Sequence, residues 1–230
     1  MSDTTAIEVD VIIPVHNASS TIKETVLSAL HQEIPSTSQS PLLKSFLQRY
    51  TILNTVCCYD DGSKDDSLKI LREIEASRSE SNETPNEAIS SRLLVDSSNK
   101  STGRGAGYAR NRAVEMNNIS LQERKSLEGD GGAEDSNKLK FLCLLDSDDI
   151  MYKNRINEQV LFMMYKVDDE DRDRIILGST FDRDPPDSTW HYSNWANNLS
   201  DERLLLEKYR EITILQPSWF MPLAVWSRVG

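Results

Sequence analysis

Four short apolar runs, each ending in a cluster of polar or turn-forming residues, organise the first 150 positions of this 230-residue chain. Residues 9–15 (VDVIIPV) are β-branched and close on Pro14, His16 and Asn17, which predicts a buried strand entering a loop. Ser19, Ser20 or Thr21 then offers an N-cap to a helix whose apolar positions Ile22, Val26, Leu27 and Leu30 recur at helical spacing. Residues 50–59 (YTILNTVCCY) predict a second strand, which stops at Asp60-Asp61-Gly62-Ser63 before a helix with Leu68, Leu71 and Ile74 on one face. Residues 91–95 predict a third strand and 105–116 a third helix. The fourth strand, 139–145 (LKFLCLL), is apolar on both faces and runs directly into Asp146-Ser147-Asp148-Asp149. Strand and helix alternate four times, the pattern of a mostly parallel, doubly wound α/β sheet.

Three stretches rich in Ser, Asn, Glu or Gly interrupt this rhythm: 36–45, 76–90 and 117–138. Polar segments of this kind bury too little apolar surface to offset their ordering entropy, so they read as flexible surface insertions. Beyond the fourth strand the pattern predicts a helix over 152–166, an acidic turn over 168–173 and a fifth strand over 174–180. An aromatic stretch, a helix over 201–211 and a strand over 212–221 follow. The whole of 1–230 reads as a single domain.

Composition excludes several classes. With 38% hydrophobic residues, no apolar run approaches the ~18 needed for a membrane span. The opening MSDTTAIEVD lacks a basic segment followed by an apolar one, so the expectation is a cytoplasmic address and no membrane. Cys57, Cys58 and Cys143 are odd in number and lie in apolar runs, which fits reduced buried thiols rather than a disulfide framework. His16, His31 and His191 are too scattered for a His/Cys metal cluster. A net charge of −11, from 26 Lys+Arg against 37 Asp+Glu, argues against a broad nucleic-acid footprint.

Charge becomes informative locally. In open α/β sheets ligands bind beyond the carboxyl ends of the strands, and there lie Pro14 to Asn17, Asp60 to Ser63, Gly103 to Asn111 and Asp146 to Asp149. Any one cluster is also explained by ordinary helix caps; the convergence of all four points to one site. Asp146, Asp148 and Asp149 place three carboxylates within four residues and repel one another unless a cation is shared, which suits Mg²⁺ or Mn²⁺. From Ser97 to Arg112 the chain carries Lys100, Arg104, Arg110 and Arg112 and no acid, with Gly103, Gly105 and Gly107 opening a helix. A basic loop at a helix N-terminus beside a cation site implies a diphosphate; a solvated Gly-rich turn is the plainer alternative. The Rossmann fingerprint, the P-loop and the G-x-S-x-G elbow are all absent.

In order along the chain, Val11 to Asn17, Asp60-Asp61-Gly62-Ser63-Lys64-Asp65, Gly103-x-Gly105-x-Gly107-x-Ala109-Arg110-Asn111 and Leu145-Asp146-Ser147-Asp148-Asp149 resemble the motifs of family 2 glycosyltransferases with the GT-A fold. The resemblance implies an inverting sugar transfer from a UDP-sugar donor with a divalent metal. It makes 9–150 the nucleotide-sugar-binding half and 151–230 a partial acceptor-side half. Carried over by position, Pro14, His16 and Asn17 line the uracil and ribose pocket, Asp61 bonds the uracil, and Asp60 lies beside it. Arg110, Gly105 and Gly107 approach the nucleotide, Asp146 and Asp148 form the metal-binding D-x-D pair, and Asp149 orients donor or acceptor. The stretch from Asp182 to Thr189, with Tyr192, Trp195 and 217–221, resembles the branch that galactosylates queuosine in tRNA, also described as β-1,3-N-acetylglucosaminyltransferase-like. That branch implies UDP-galactose as donor and a tRNA acceptor. The resemblance also puts the general base beyond Gly230 and so implies a C-terminally incomplete domain, with Asp182, Asp184 or Asp187 as substitutes. A non-catalytic nucleotide-sugar-binding protein is the alternative from another class. A sugar nucleotidyltransferase fits less well, because 14–20 contains neither Gly nor Lys/Arg.

Overall fold

The computed structural model describes residues 4–35, 40–80, 89–98, 102–128, 139–207 and 210–229. Its centre is a five-stranded sheet in the order β3-β2-β1-β4-β5, with β1 Thr5–Val15, β2 Tyr50–Asp60, β3 Ile89–Ser97, β4 Lys140–Leu144 and β5 Phe220–Pro222. β1 to β4 are parallel, and β5 runs antiparallel to β4. The expected mostly parallel, doubly wound sheet is therefore the one that forms.

Burial on both faces explains why the strands read as unbroken apolar runs. Alternate residues Ile7, Val9, Val11, Ile13 and Val15 of β1 pack in one layer, against α1 (Ile22–Leu30), α3 (Ser67–Glu80) and α5 (Arg155–Tyr165). Ile12 faces the other layer with Cys57, Leu142 and Leu144, beneath α4 (Ala106–Glu128) and α9 (Leu223–Val229). The three cysteines are free and buried, and burial pushes each thiol pKa up, as expected of inert reduced thiols.

One end of this second layer is polar. Asp10, fully buried on β1, pairs with Lys140 at 2.9 Å and accepts the Asn117 amide at 2.7 Å. Asn117 also accepts Arg92, whose Nε donates to Thr55 Oγ1 at 3.0 Å, so α4 is tied to four strands at once. Burial raises the Asp10 pKa, against Lys140 and Asn117, which lower it.

Several expected boundaries are corrected. The stretch 36–45 is not a wholly irregular insertion, because Pro41–Leu47 forms α2. Ser40 caps it by accepting the Leu43 N–H at 3.3 Å, Pro41 sits at its first turn, and Leu43 and Phe46 are buried. Helix α3 runs to Glu80 and α4 to Glu128, so much of 76–80 and 117–128 is helical; residues 36–39, 81–88 and 129–138 lie outside the described residues. Residues 174–180 make no strand but one antiparallel bridge, Leu177 to Phe220. Over 212–221, Pro217 cannot donate to a ladder, and a 3₁₀ turn, Gln216–Ser218, leaves only the short β5. The acidic turn contains α6 (Asp169–Arg172), the aromatic stretch α7 (Trp190–Asn197), and α8 ends at Leu206 (Asp201–Leu206).

Candidate active site

The sheet order reverses at β1: β2 and β3 lie to one side of it and β4 to the other. The loops leaving β1 and β4 must therefore part, and a crevice opens between them. A cavity of about 460 Å³ occupies this place, lined by Pro14, Val15, His16, Asp61, Gly103, Gly105, Ala106, Ala109, Arg110, Asp146, Ser147 and Asp148. All four strand-end clusters contribute to it.

The β1 and β2 loops are stitched together before any ligand is considered. His16 Nδ1 lies 2.9 Å from the Asp61 carbonyl oxygen, a partner that can only accept, so Nδ1 carries the proton. The free Nε2 then accepts the Asn17 amide at 3.0 Å. Asn17, at φ 52°, receives the Lys64 N–H on its side-chain oxygen at 2.8 Å and donates its own N–H to Ser63 Oγ at 2.9 Å. Asp60 Oδ1 accepts the N–H groups of Gly62 and Ser63, both at 3.0 Å, and shapes the turn. Thus Pro14, His16 and Asp61 line the cavity, whereas Asn17 and Asp60 shape the loops around it.

Asp61 has a second task that its sequence position did not disclose. Its Oδ2 accepts the N–H groups of Arg104 at 2.5 Å and Gly105 at 2.7 Å, clamping the glycine-rich loop where α4 begins. These two N–H groups are engaged by a protein carboxylate rather than left for a ligand anion. Its Oδ1 is buried and has no hydrogen-bond partner among the described residues. Gly105 takes φ +98°, open to glycine and costly for other residues. Gly103 packs so close that a Cβ would lie 3.0 Å from the Asp61 carbonyl oxygen and 3.2 Å from the His16 ring. Gly107 is one residue into the helix and does not line the cavity.

Of the four cations expected to face the carboxylate loop, the three described ones separate. Arg104 lies over the Tyr108 ring at 4.6 Å, and Arg112 pairs with Glu115 and lies over Tyr59 at 5.8 Å. Lys100 is outside the described residues. Arg110 alone of the three described cations reaches the carboxylates, with Nη2 2.6 Å from Asp146 Oδ1. The sequence displays the charge of this loop but not its directions.

Asp146 and Asp148 both line the cavity, whereas Asp149 lies beside it. Burial pushes the Asp149 pKa up, reinforced by the Asp148 and Asp146 carboxylates and opposed by Arg183 and Arg155. The loop is held from beneath by Thr21, the N-cap residue of α1, and by Thr25 within that helix, a contact the sequence pattern did not disclose. Thr21 and Thr25 donate their hydroxyls to the Ser147 carbonyl at 2.8 and 3.0 Å. A polar, fully buried Thr25 on the apolar stripe of α1 is the signal that could have found them.

Among the described residues no three His, Cys, Asp or Glu side chains form a ready-made metal cage. Two carboxylates at a cavity wall nevertheless suit a hard divalent cation, which usually takes one or two protein carboxylates and completes its shell with phosphate oxygens and water. In the segment that follows β4, Tyr152 donates its hydroxyl to Asp182, Arg183 covers the Phe181 ring, and Trp195 Nε1 donates to Glu207 at 2.9 Å. Trp219 packs with the α4 layer, while Trp190 is 53% exposed. No helix among the described residues is long and apolar enough to cross a membrane.

Comparison with solved structures finds S. aureus TarS 1–349 in complex with UDP-GlcNAc, at 22% identity and TM-score 0.38, over 69% of this chain and 31% of that one. The same protein in complex with UDP aligns at 19% identity and TM-score 0.36, over 69% and 32%. The chain thus spans about a third of the length of these structures. Residues 10–116, which hold the second half of β1, β2, β3, the first half of α4 and three of the four cavity loops, match the family model Glycosyl transferase family 2.

Proposed function

We propose that this chain carries the donor-binding part of a GT-A glycosyltransferase that takes a UDP-linked sugar together with Mn²⁺ or Mg²⁺. The observation that supports it best is the cavity at the β1/β4 divergence. It has a nearly buried carboxylate, Asp61, on one side and the Asp146/Asp148 pair with Arg110 on the other. The unpartnered Asp61 Oδ1 calls for an N–H donor, which a uracil ring supplies. Pro14, Val15 and Gly103 provide the close, mostly apolar wall a flat base requires, and His16 is fixed in one tautomer beside it.

In this reading Asp146 and Asp148 hold the divalent cation, which when bound supplies positive charge to the departing diphosphate. Arg110 adds a guanidinium suited to phosphate oxygens. Thr21 and Thr25 fix the carboxylate loop through Ser147, so its ligands are positioned in advance. The finer proposal is inverting transfer of galactose from UDP-galactose to queuosine in a tRNA, with the segment from Phe181 to Trp195 on the acceptor side and Asp149 orienting donor or acceptor.

A binding and hydrolysis panel of UDP-sugars with Mn²⁺ or Mg²⁺ tests the core of this reading. Asp148→Asn is expected to weaken UDP binding at least about tenfold in the presence of metal and to change it little in EDTA. UDP binding by the wild-type chain that is indifferent to metal, or no binding at all, would sink the proposal.

A further inference from the structure

The geometry points to Arg110 as an exchangeable counter-ion that occupies Asp146 when the site holds no cation and passes to the diphosphate when Asp146 takes one. The inference rests on the reading of Asp146 and Asp148 as cation ligands, and adds to it a competition inside the protein. Among the described residues Arg110 is the one Lys or Arg lining the cavity, and its side chain is only 11% exposed. It cannot shed its charge, so it must keep an anionic partner, and Asp146 Oδ1 at 2.6 Å is that partner. Asp146 is 33% exposed on its side chain and remains open to the cavity. The same carboxylate is thus offered to two cations, one resident and one arriving.

The guanidinium has donor capacity to spare. Its Nε is buried without a hydrogen-bond partner among the described residues, so the present pairing leaves part of the fork unused. A diphosphate can engage such a fork at two oxygens, which one Asp146 oxygen at Nη2 does not. Asp148 and Asp149 keep the loop anionic when Arg110 leaves, and Asp146 is then free for the divalent ion. Two ligands that each relieve the cost of the other's binding bind cooperatively. Arg110 therefore makes cation and nucleotide uptake concerted: the cation alone must displace a buried arginine, and the nucleotide gives that arginine somewhere to go.

The test is Mn²⁺ binding, followed by the loss of the free-ion EPR signal, with and without saturating UDP, on wild type, Arg110→Met and Arg110→Lys. With Arg110→Met, Mn²⁺ alone is expected to bind about tenfold tighter than to wild type, and the gain from added UDP is expected to shrink by a similar factor. Arg110→Lys, which keeps the charge but loses the fork, should fall between and decides the matter if the methionine variant does not fold. Unchanged or weaker binding of Mn²⁺ alone to the variants overturns the exchange while leaving the cation site standing. Wild type that takes up no Mn²⁺ even with UDP bound overturns the cation site and the exchange together.

Discussion

Asp61→Asn separates the two tasks that one carboxylate performs. Oδ2 holds two backbone N–H groups, of Arg104 at 2.5 Å and Gly105 at 2.7 Å, and Oδ1 is a buried acceptor with no partner among the described residues. Hydrogen bonds to a charged group contribute about 1.5–3 kcal/mol each and neutral ones about 0.5–1.5. An asparagine whose oxygen takes the Oδ2 place keeps both clamp bonds in neutral form, at a loss of about 2 kcal/mol. For a chain of this size that is about 4–8 °C in Tm. Its amide group then stands where Oδ1 was, and an acceptor becomes a donor. A ligand N–H aimed at it loses about 1.5–3 kcal/mol, which is about 10- to 150-fold in Kd. Calorimetric titration should show this loss for both uridine and UDP and not for pyrophosphate. Asp61→Ala removes the clamp as well and should cost about 3–6 kcal/mol of stability. Undiminished uridine and UDP affinity in Asp61→Asn would refute recognition of the base by Asp61, and an unshifted melting curve for Asp61→Ala would refute the clamp.

Lys140→Met strands the fully buried Asp10 carboxylate and should destabilise the fold by about 3–5 kcal/mol at pH 7 in chemical denaturation. Burial already raises the Asp10 pKa above its unfolded value. Its contribution to stability is therefore present below the unfolded pKa and lost as pH rises through the folded one. The difference between variant and wild type should narrow as pH falls through the raised Asp10 pKa and the carboxylate takes up a proton; a pH-independent difference would contradict the assignment. Thr21→Val with Thr25→Val removes both hydroxyls from the Ser147 carbonyl and should cost about 1–3 kcal/mol in stability. It should also weaken Mn²⁺-dependent UDP binding; unaltered binding would show that the loop does not depend on α1.

The strands were legible because a parallel sheet covered on both faces leaves its mark directly in sequence. The apolar runs at 9–15, 50–59 and 139–145 need no tertiary information, and the polar residues where they end had to share one edge. What was hidden depended on direction or on small signals. Ser40-Pro41 is a helix start, yet the serine-rich residues before it masked Leu43 and Phe46 as core positions. The 174–180 run has strand composition, but its neighbour is interrupted at Pro217, so only one bridge forms. Arg104, Arg110 and Arg112 are alike as letters. Tyr108, Asp146 and the Tyr59–Glu115 pair determine which of them serves the cavity, and those partners come from different elements. Asp61 was marked for a ligand, and its clamp on the glycine-rich loop follows from the pairing of β2 beside β3, which no local pattern encodes.

Cys57 and Cys58 are adjacent in β2 yet buried in opposite layers, Cys57 beneath α4 and Cys58 with α1 and α3. Alternation along a strand thus gives the molecule two chemical clocks one residue apart. Each thiol reacts with an alkylating reagent only when its own layer opens, so the ratio of the two rates distinguishes a fold that breathes one face at a time from one that opens as a unit.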